Sequence, residues 1–303
     1  MNIPLVLITG FLGSGKTCLM EQIIGRFSDK KLVYLVNEFS SIDIDGQRLS
    51  VHGKDMVMIP GGSIFCSCLV NEFIDILRWI PQRYGEDIEG VIIEASGMAN
   101  PKVIARMLEE TRLDTIYSIS NIICVVDPGT FPVLRQTLPN ILAQVEAADL
   151  ILLNKTDLAT SEHVSALSDE LRQINQYAEI YQTTYAKLPL NWQLSGNQMN
   201  HDVNGEYAMC RDPNFQVFTT ALHKPVDVHA LQLSLSELGD GLYRVKGYVP
   251  TDTGVMFLEY AGGQWYLEPA PHASETPPWE LVLITQGSSS EEMQHRLDSM
   301  NAC

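Results

Sequence analysis

A chain of 303 residues, 45% apolar and 19% charged, has the balance of a soluble folded protein rather than a disordered one. Its 20 Lys and Arg against 37 Asp and Glu leave a formal charge of −17. That charge repels phosphate backbones and anionic lipid, so nucleic acid and membrane surfaces are poor partners. No apolar run approaches the ~18 residues of a membrane span.

The first half alternates apolar runs with helical patterns. Strands are expected over 3–9, 32–37, 91–94, 122–127 and 150–154, and helices over 16–27, 70–79, 103–109 and 162–174. A strand over 179–183 closes the unit. This alternation predicts an α/β domain with a mainly parallel sheet and helices on both faces. Residues 191–212 turn to Asn, Gln, Gly, Ser and His, as in Gln193-Leu194-Ser195-Gly196-Asn197-Gln198, and are expected to be a linker. Beyond it, strands are expected over 217–222, 243–249, 255–260, 264–267 and 281–285. A helix over 227–238 carries Val228, Leu231, Leu235 and Leu238 on one face, and another spans 291–300. The domains expected are therefore 1–190, a linker over 191–212, and a smaller α+β domain over 213–303.

Gly10-Phe11-Leu12-Gly13-Ser14-Gly15-Lys16-Thr17 fits the phosphate-binding pattern Gly-x4-Gly-Lys-[Ser/Thr]. Gly10, Gly13, Ser14 and Gly15 let backbone N–H groups curl round a β-phosphate, and the helix that follows, with Cys18 in its first turn, presents its N-terminus to the anion. Lys16 would reach the β- and γ-phosphates, and Thr17 would place its hydroxyl on Mg²⁺. A strand before the loop and a helix after it are the context this motif requires.

Asn154-Lys155-Thr156-Asp157 follows an apolar strand. The Asp157 carboxylate would accept from both N1–H and the exocyclic amine of guanine, a donor pair that adenine lacks. Asn154 would tie this loop to the phosphate site, and the Lys155 stem would lie along the base. Glu94-Ala95-Ser96-Gly97 ends another strand. There Glu94 would hold Mg²⁺ directly or through water, and the Gly97 N–H would sense the γ-phosphate. Lys16, Thr17 and Glu94 are thus the expected catalytic set. No glutamine placed to orient water and no arginine finger is recognisable, so slow hydrolysis of GTP to GDP and phosphate is expected.

These motifs resemble the CobW-type GTPases, kin of the urease and hydrogenase nickel-insertion GTPases. The resemblance rests on Gly10 to Thr17, Asn37-Glu38-Phe39, the Cys66/Cys68 segment, Glu94 to Pro101, Val125-Val126-Asp127 and Asn154 to Leu158, with Tyr243-Arg244-Val245-Lys246-Gly247 matching a C-terminal signature. It implies a metallochaperone or cofactor-insertion factor that couples GTP hydrolysis to delivery of zinc, cobalt or nickel. The implied client is a metalloenzyme or corrinoid protein, and a homodimer is compatible with it. The family's Cys-x-Cys-Cys becomes Cys66-Ser67-Cys68-Leu69, and its Asn-Glu-x-Gly becomes Asn37-Glu38-Phe39-Ser40. The nucleotide motifs are complete while the metal motif is thinned.

Cys66 and Cys68 would supply two corners of a tetrahedral site, with Glu38, Asp43, Asp45 or His52 completing it. The bland alternative is two half-buried cysteines at a helix start. The segment lies between Lys16 and Glu94, where GTPases keep loops that reorder on loss of the γ-phosphate. The other four of the six cysteines are scattered and structural, and in a reducing compartment all six are expected as thiols. No basic leader precedes Gly10, and the setting expected is cytoplasmic. Two other readings compete. One is a GTPase regulatory switch that carries no metal. The other is a P-loop small-molecule kinase, which would not need a guanine reader. Arg244 and Lys246 would either meet a partner or the nucleotide domain, or sit on a solvated strand face.

Overall fold

The computed structural model describes residues 2–38, 55–60, 63–66, 69–85, 87–194, 216–237, 241–261, 263–270 and 279–285. The chain divides into two compact units, Met1–Cys210 and Arg211–Cys303. The helix expected over 291–300 lies outside the described residues.

The first unit is built on β1 (Ile3–Thr9), β2 (Leu32–Glu38), β3 (Met56–Pro60), β4 (Gly90–Glu94), β5 (Tyr117–Val126), β6 (Leu150–Leu153) and β7 (Glu179–Gln182). They form one sheet in the order β3-β2-β4-β1-β5-β6-β7, and every described pairing is parallel. Its helices are α1 (Lys16–Arg26), α2 (Val70–Tyr84), α3 (Val103–Glu110), α4 (Phe131–Thr137), α5 (Pro139–Glu146) and α6 (Ser161–Ile174). Side chains alternate across a strand. Leu5 and Leu7 of β1 therefore pack with Phe73 and Leu77 of α2 and Met107 of α3. Val6 and Ile8 pack on the other face with Leu19, Met20 and Ile23 of α1. Both faces are covered, which is why the central strands are apolar throughout.

Five elements depart from the sequence expectations. Strand β3 was not expected: it is short, ends in Pro60 and lies at the sheet edge, where a proline is tolerated. Strand β5 begins at Tyr117, five residues earlier than its apolar run, because Ser118, Ser120 and Asn121 interrupt the pattern where its register to β1 shifts. Helices α4 and α5 are short, and each has proline in its first turn. Helix α2 continues through Pro81 to Tyr84. Proline has no N–H to give the carbonyl four residues back, which is that of Leu77. The buried Tyr117 hydroxyl donates to that carbonyl instead, at 2.7 Å. Tyr117→Phe is therefore expected to lower stability by about 1–2 kcal/mol, read as a fall in the urea midpoint, and an unchanged midpoint would contradict this account of the proline.

Trp192 and Leu194, which the composition assigned to the linker, are buried in the core beneath α1. Arg26 fixes that segment by donating to the carbonyls of Pro189, Leu190 and Trp192 at 2.8, 2.6 and 2.9 Å.

The second unit holds β8 (Gln216–Leu222), α7 (Val228–Ser236), β9 (Leu242–Thr251), β10 (Gly254–Ala261), β11 (Gln264–Pro269) and β12 (Trp279–Thr285). Its strands pair antiparallel in the order β11-β10-β9-β12-β8, and Leu231 and Leu235 of α7 pack on Val245, Val249, Leu281 and Leu283. Arg244 and Lys246 are not on a solvated face: they are 9% and 4% exposed. Arg244 meets Glu259 at 3.3 Å, and the Lys246 ammonium lies 5.8 Å from the Phe257 ring centroid.

Candidate functional site

The site gathers at the C-terminal ends of β1, β4, β5 and β6. In an open parallel sheet this edge, where strand order reverses about the first strand, is where ligands bind. Gly10 follows β1, and the loop through Gly13 and Ser14 ends at Gly15, the N-cap of α1. Gly15 has φ 113° and sits against the Asn154 carboxamide. A Cβ there would lie 2.4 Å from Asn154 Nδ2, so the phosphate loop and the Asn154 loop touch only because this residue is glycine.

Lys16 is 6% exposed, and its ammonium donates to the Phe11 carbonyl at 3.1 Å, folded over the loop. Beside it the Thr17 hydroxyl donates to Glu94 Oε1 at 3.2 Å. Cys18 reaches the other rim, its thiol donating to the Tyr185 carbonyl at 3.1 Å. The hydroxyls of Ser14 and Ser96 are buried without a hydrogen-bond partner among the described residues, as expected at a rim that takes a polar ligand.

Asn154 is 2% exposed and bridges three segments. Its Nδ2 donates to the Ser14 carbonyl at 2.9 Å, and its Oδ1 accepts from the Ala186 N–H at 2.8 Å. Lys155 takes a left-handed backbone, φ 56°, and its ammonium pairs with Asp127 at 3.0 Å. Asp157 lies in the exposed 3-10 turn Thr156–Leu158, which is anchored where the Thr156 hydroxyl donates to the Thr183 carbonyl at 3.1 Å.

Several participants escaped the sequence reading. Tyr185 and Ala186 hold positive φ, 55° and 51°, in the loop after β7 that meets both Cys18 and Asn154. Gln144 of α5, 1% exposed, donates to the carbonyls of Gly97 and Ala99 at 3.1 and 3.0 Å, and Asn140 donates to that of Met98 at 2.9 Å. The loop after β4 is thus held from behind. From the front it lies on the phosphate loop: a Cβ on Gly97 would meet the Leu12 nitrogen at 2.6 Å.

Of the cysteine pair, Cys66 is described and 3% exposed. It is not a free thiol as expected: it is disulfide-bonded. Reduction must precede any thiolate ligation there. Cys68, the Glu38 side chain, Asp43, Asp45 and His52 lie outside the described residues. Among the described residues no group of three His, Cys, Asp or Glu side chains is placed to hold a metal ion. Cys124 is 1% exposed, and burial pushes its thiol up to about 12 against the lowering pull of Lys16. No helix of the described residues is long and apolar enough to cross a membrane.

A parallel sheet with this glycine loop at its first strand, and a strand-end acid beside the loop's threonine, defines a P-loop nucleotide-binding protein of the GTPase type. Comparison with known proteins narrows this. The model for the CobW/HypB/UreG nucleotide-binding domain matches residues 4–182, and that for the C-terminal domain of the cobalamin synthesis protein CobW matches residues 215–301. The chain belongs to the CobW/HypB/UreG family. Zinc chaperone YjiA of Escherichia coli is 26% identical over 310 residues, with 96% of each chain covered. Zinc-regulated GTPase metalloprotein activator 1 of Schizosaccharomyces pombe is 28% identical over 254 residues, covering 77% of this chain. The match spans 60% of that yeast protein's own length. The crystal structure of Zn(II)-bound YjiA GTPase from E. coli superposes with a TM-score of 0.49 and 22% identity, covering 99% of both chains.

Proposed function

We propose that this chain binds and hydrolyses GTP and uses its nucleotide state to hold and release a metal, zinc first among the candidates, for a metalloenzyme or corrinoid-protein client in the cytoplasm. The observation that carries the nucleotide half is the pair of hydrogen bonds by which Asn154 donates to the Ser14 carbonyl and accepts from the Ala186 N–H. A guanine-reading loop is of use to a phosphate site only if the two are held at a fixed separation, and this carboxamide holds them. Lys16 swings from the Phe11 carbonyl to the β- and γ-phosphates when GTP enters. The amides of residues 13–17 surround the β-phosphate, and Asp157 accepts from the guanine edge.

Thr17 and Glu94 together offer the hard oxygen donors that suit Mg²⁺, side by side at 3.2 Å. Held there, Mg²⁺ would offset charge on the phosphate oxygens. The chain's own part is positioning. Glu94 is 5% exposed, and Gln144 and Asn140 keep the loop behind it from drifting.

The cargo half rests on family membership and on the names of the relatives, together with Cys66 at the start of α2. Zinc titration of the reduced protein with GDP, or with a non-hydrolysable GTP analogue, tests it. Sub-micromolar zinc affinity that differs between the two states and is lost in Cys66→Ser/Cys68→Ser is the expected result. Absence of stoichiometric zinc in both states sinks the cargo reading. The second reading, a regulatory switch without cargo, is favoured by Leu69 standing where the family's third cysteine would be. The same titration decides between them.

A further inference from the structure

From the hydrogen bonds of one buried carboxamide we infer that Asn37 is the positioning residue that transmits nucleotide state to the cysteine segment. The inference deepens the proposed function and rests on the nucleotide-dependence proposed there, with Gly97 of the loop after β4 sensing the γ-phosphate as the sequence leads one to expect.

Asn37 is 4% exposed near the C-terminal end of β2. On one side it pairs with Ile59 of β3; on the other, the described β2–β4 register ends one residue earlier, at Val36 and Glu94. Its side chain therefore stands where three segments leave the sheet. Nδ2 donates to the Ile59 carbonyl at 3.0 Å. Oδ1 accepts two amides at once, Ile64 N–H at 3.0 Å and Ser96 N–H at 3.2 Å. This pattern leaves no freedom to exchange the amide's oxygen and nitrogen: the reverse would set oxygen against the Ile59 carbonyl and N–H groups against two N–H groups. Both acceptor positions of one oxygen are occupied.

The two amides it holds belong to the two halves of the proposed mechanism. Ser96 precedes Gly97, whose backbone lies against Leu12 of the phosphate loop. Ile64 begins the turn that carries Cys66: Phe65 N–H donates to Ser63 Oγ at 3.2 Å, and Cys66 N–H donates to the Ser63 carbonyl at 3.0 Å. The Cys66 carbonyl in turn accepts from Val70 N–H, the first residue of α2. A path of buried hydrogen bonds thus runs from the phosphate loop's neighbour through a single oxygen to the backbone of Cys66. When Ser96 moves with its loop, that oxygen loses one of two donors and its hold on Ile64 changes. A buried neutral hydrogen bond shifts a local equilibrium by roughly fivefold, enough to alter the cysteine turn without unfolding the sheet.

Hydrogen–deuterium exchange on the reduced full-length chain tests this, comparing GDP with a non-hydrolysable GTP analogue, each with Mg²⁺. In the wild type, peptides over 96–99 and over 63–66 are expected to change exchange rate together, by roughly fivefold between states. Asn37→Ala is expected to keep the response at 96–99 and lose it at 63–66. Asn37→Asp keeps the acceptor oxygen and, protonated at its second oxygen so that it still donates to the Ile59 carbonyl, is expected to retain both. A wild-type response at 96–99 with none at 63–66 overturns the inference, and so does a full response at 63–66 in Asn37→Ala. If Asn37→Ala does not fold, the wild type and Asn37→Asp still decide: loss of the 63–66 response in a folded Asn37→Asp contradicts the acceptor's role. No response at either segment refutes the nucleotide-state reading along with the inference. Absence of zinc binding beside an intact exchange pattern refutes the cargo reading alone.

Discussion

Lys16→Ala is expected to weaken GTP and GDP binding by on the order of 10³, the cost of about 4 kcal/mol that follows when one partner of a desolvated charge pair is removed. The size of the effect follows from the surroundings. A chain with a formal charge of −17 offers no general attraction for a nucleotide, so local donors must supply it. Lys16 is 6% exposed and folded onto the Phe11 carbonyl at 3.1 Å, already stripped of most of its water before GTP arrives. Exchanging a neutral carbonyl for phosphate oxygens gains charge-assisted hydrogen bonds with little further desolvation. Calorimetric titration with GDP and Mg²⁺ reads the loss, and an unchanged circular dichroism spectrum shows the sheet intact. Near-normal affinity in this variant would contradict the placement of the phosphates.

The second large effect concerns the base. Asp157→Asn is expected to lower GTP affinity by on the order of 10³ and to raise affinity for xanthosine triphosphate. A carboxylate accepts two hydrogen bonds from guanine N1–H and its exocyclic amine. An asparagine turns one acceptor into a donor, which faces a donor on guanine and meets a carbonyl on xanthine. Asp157 lies in an exposed 3-10 turn, so the change should leave folding stability within about 0.5 kcal/mol of wild type. Competition among guanine, xanthine and adenine nucleotides measures the switch. An unaltered order of preference would mean that another residue reads the base.

Those two residues can be proposed from the sequence because their chemistry restricts the residue types. A phosphate loop needs glycines at fixed spacing and a lysine, and a guanine reader needs a carboxylate after a strand. What the sequence could not show are the groups whose role comes from closeness in space. Nothing near Gln144 or Asn140 marks them as clamps on residues 97–99, because α5 meets that loop only after the sheet has formed. Asn37 belongs to a recognisable motif, yet its link between Ile64 and Ser96 appears only when β2, β3 and β4 lie side by side. The strained pair Tyr185 and Ala186 carries no glycine to announce its left-handed backbone. The missed strand β3 and the early start of β5 share a different cause. One lies at an edge and ends in proline, and the other opens with serines and an asparagine that the sheet nevertheless buries or half-buries. The polar composition of 191–194 misled in the same way, since Trp192 and Leu194 pack while their neighbours do not.

Displacement of a fluorescent GDP from the wild-type chain by GDP and by ADP, with Mg²⁺ present, tests the proposed guanine site most directly. Saturable binding with GDP displacing at least about 100-fold more effectively than ADP is the predicted result, from a carboxylate that adenine leaves unpaired. Equal displacement by the two, or no saturable binding, would contradict it.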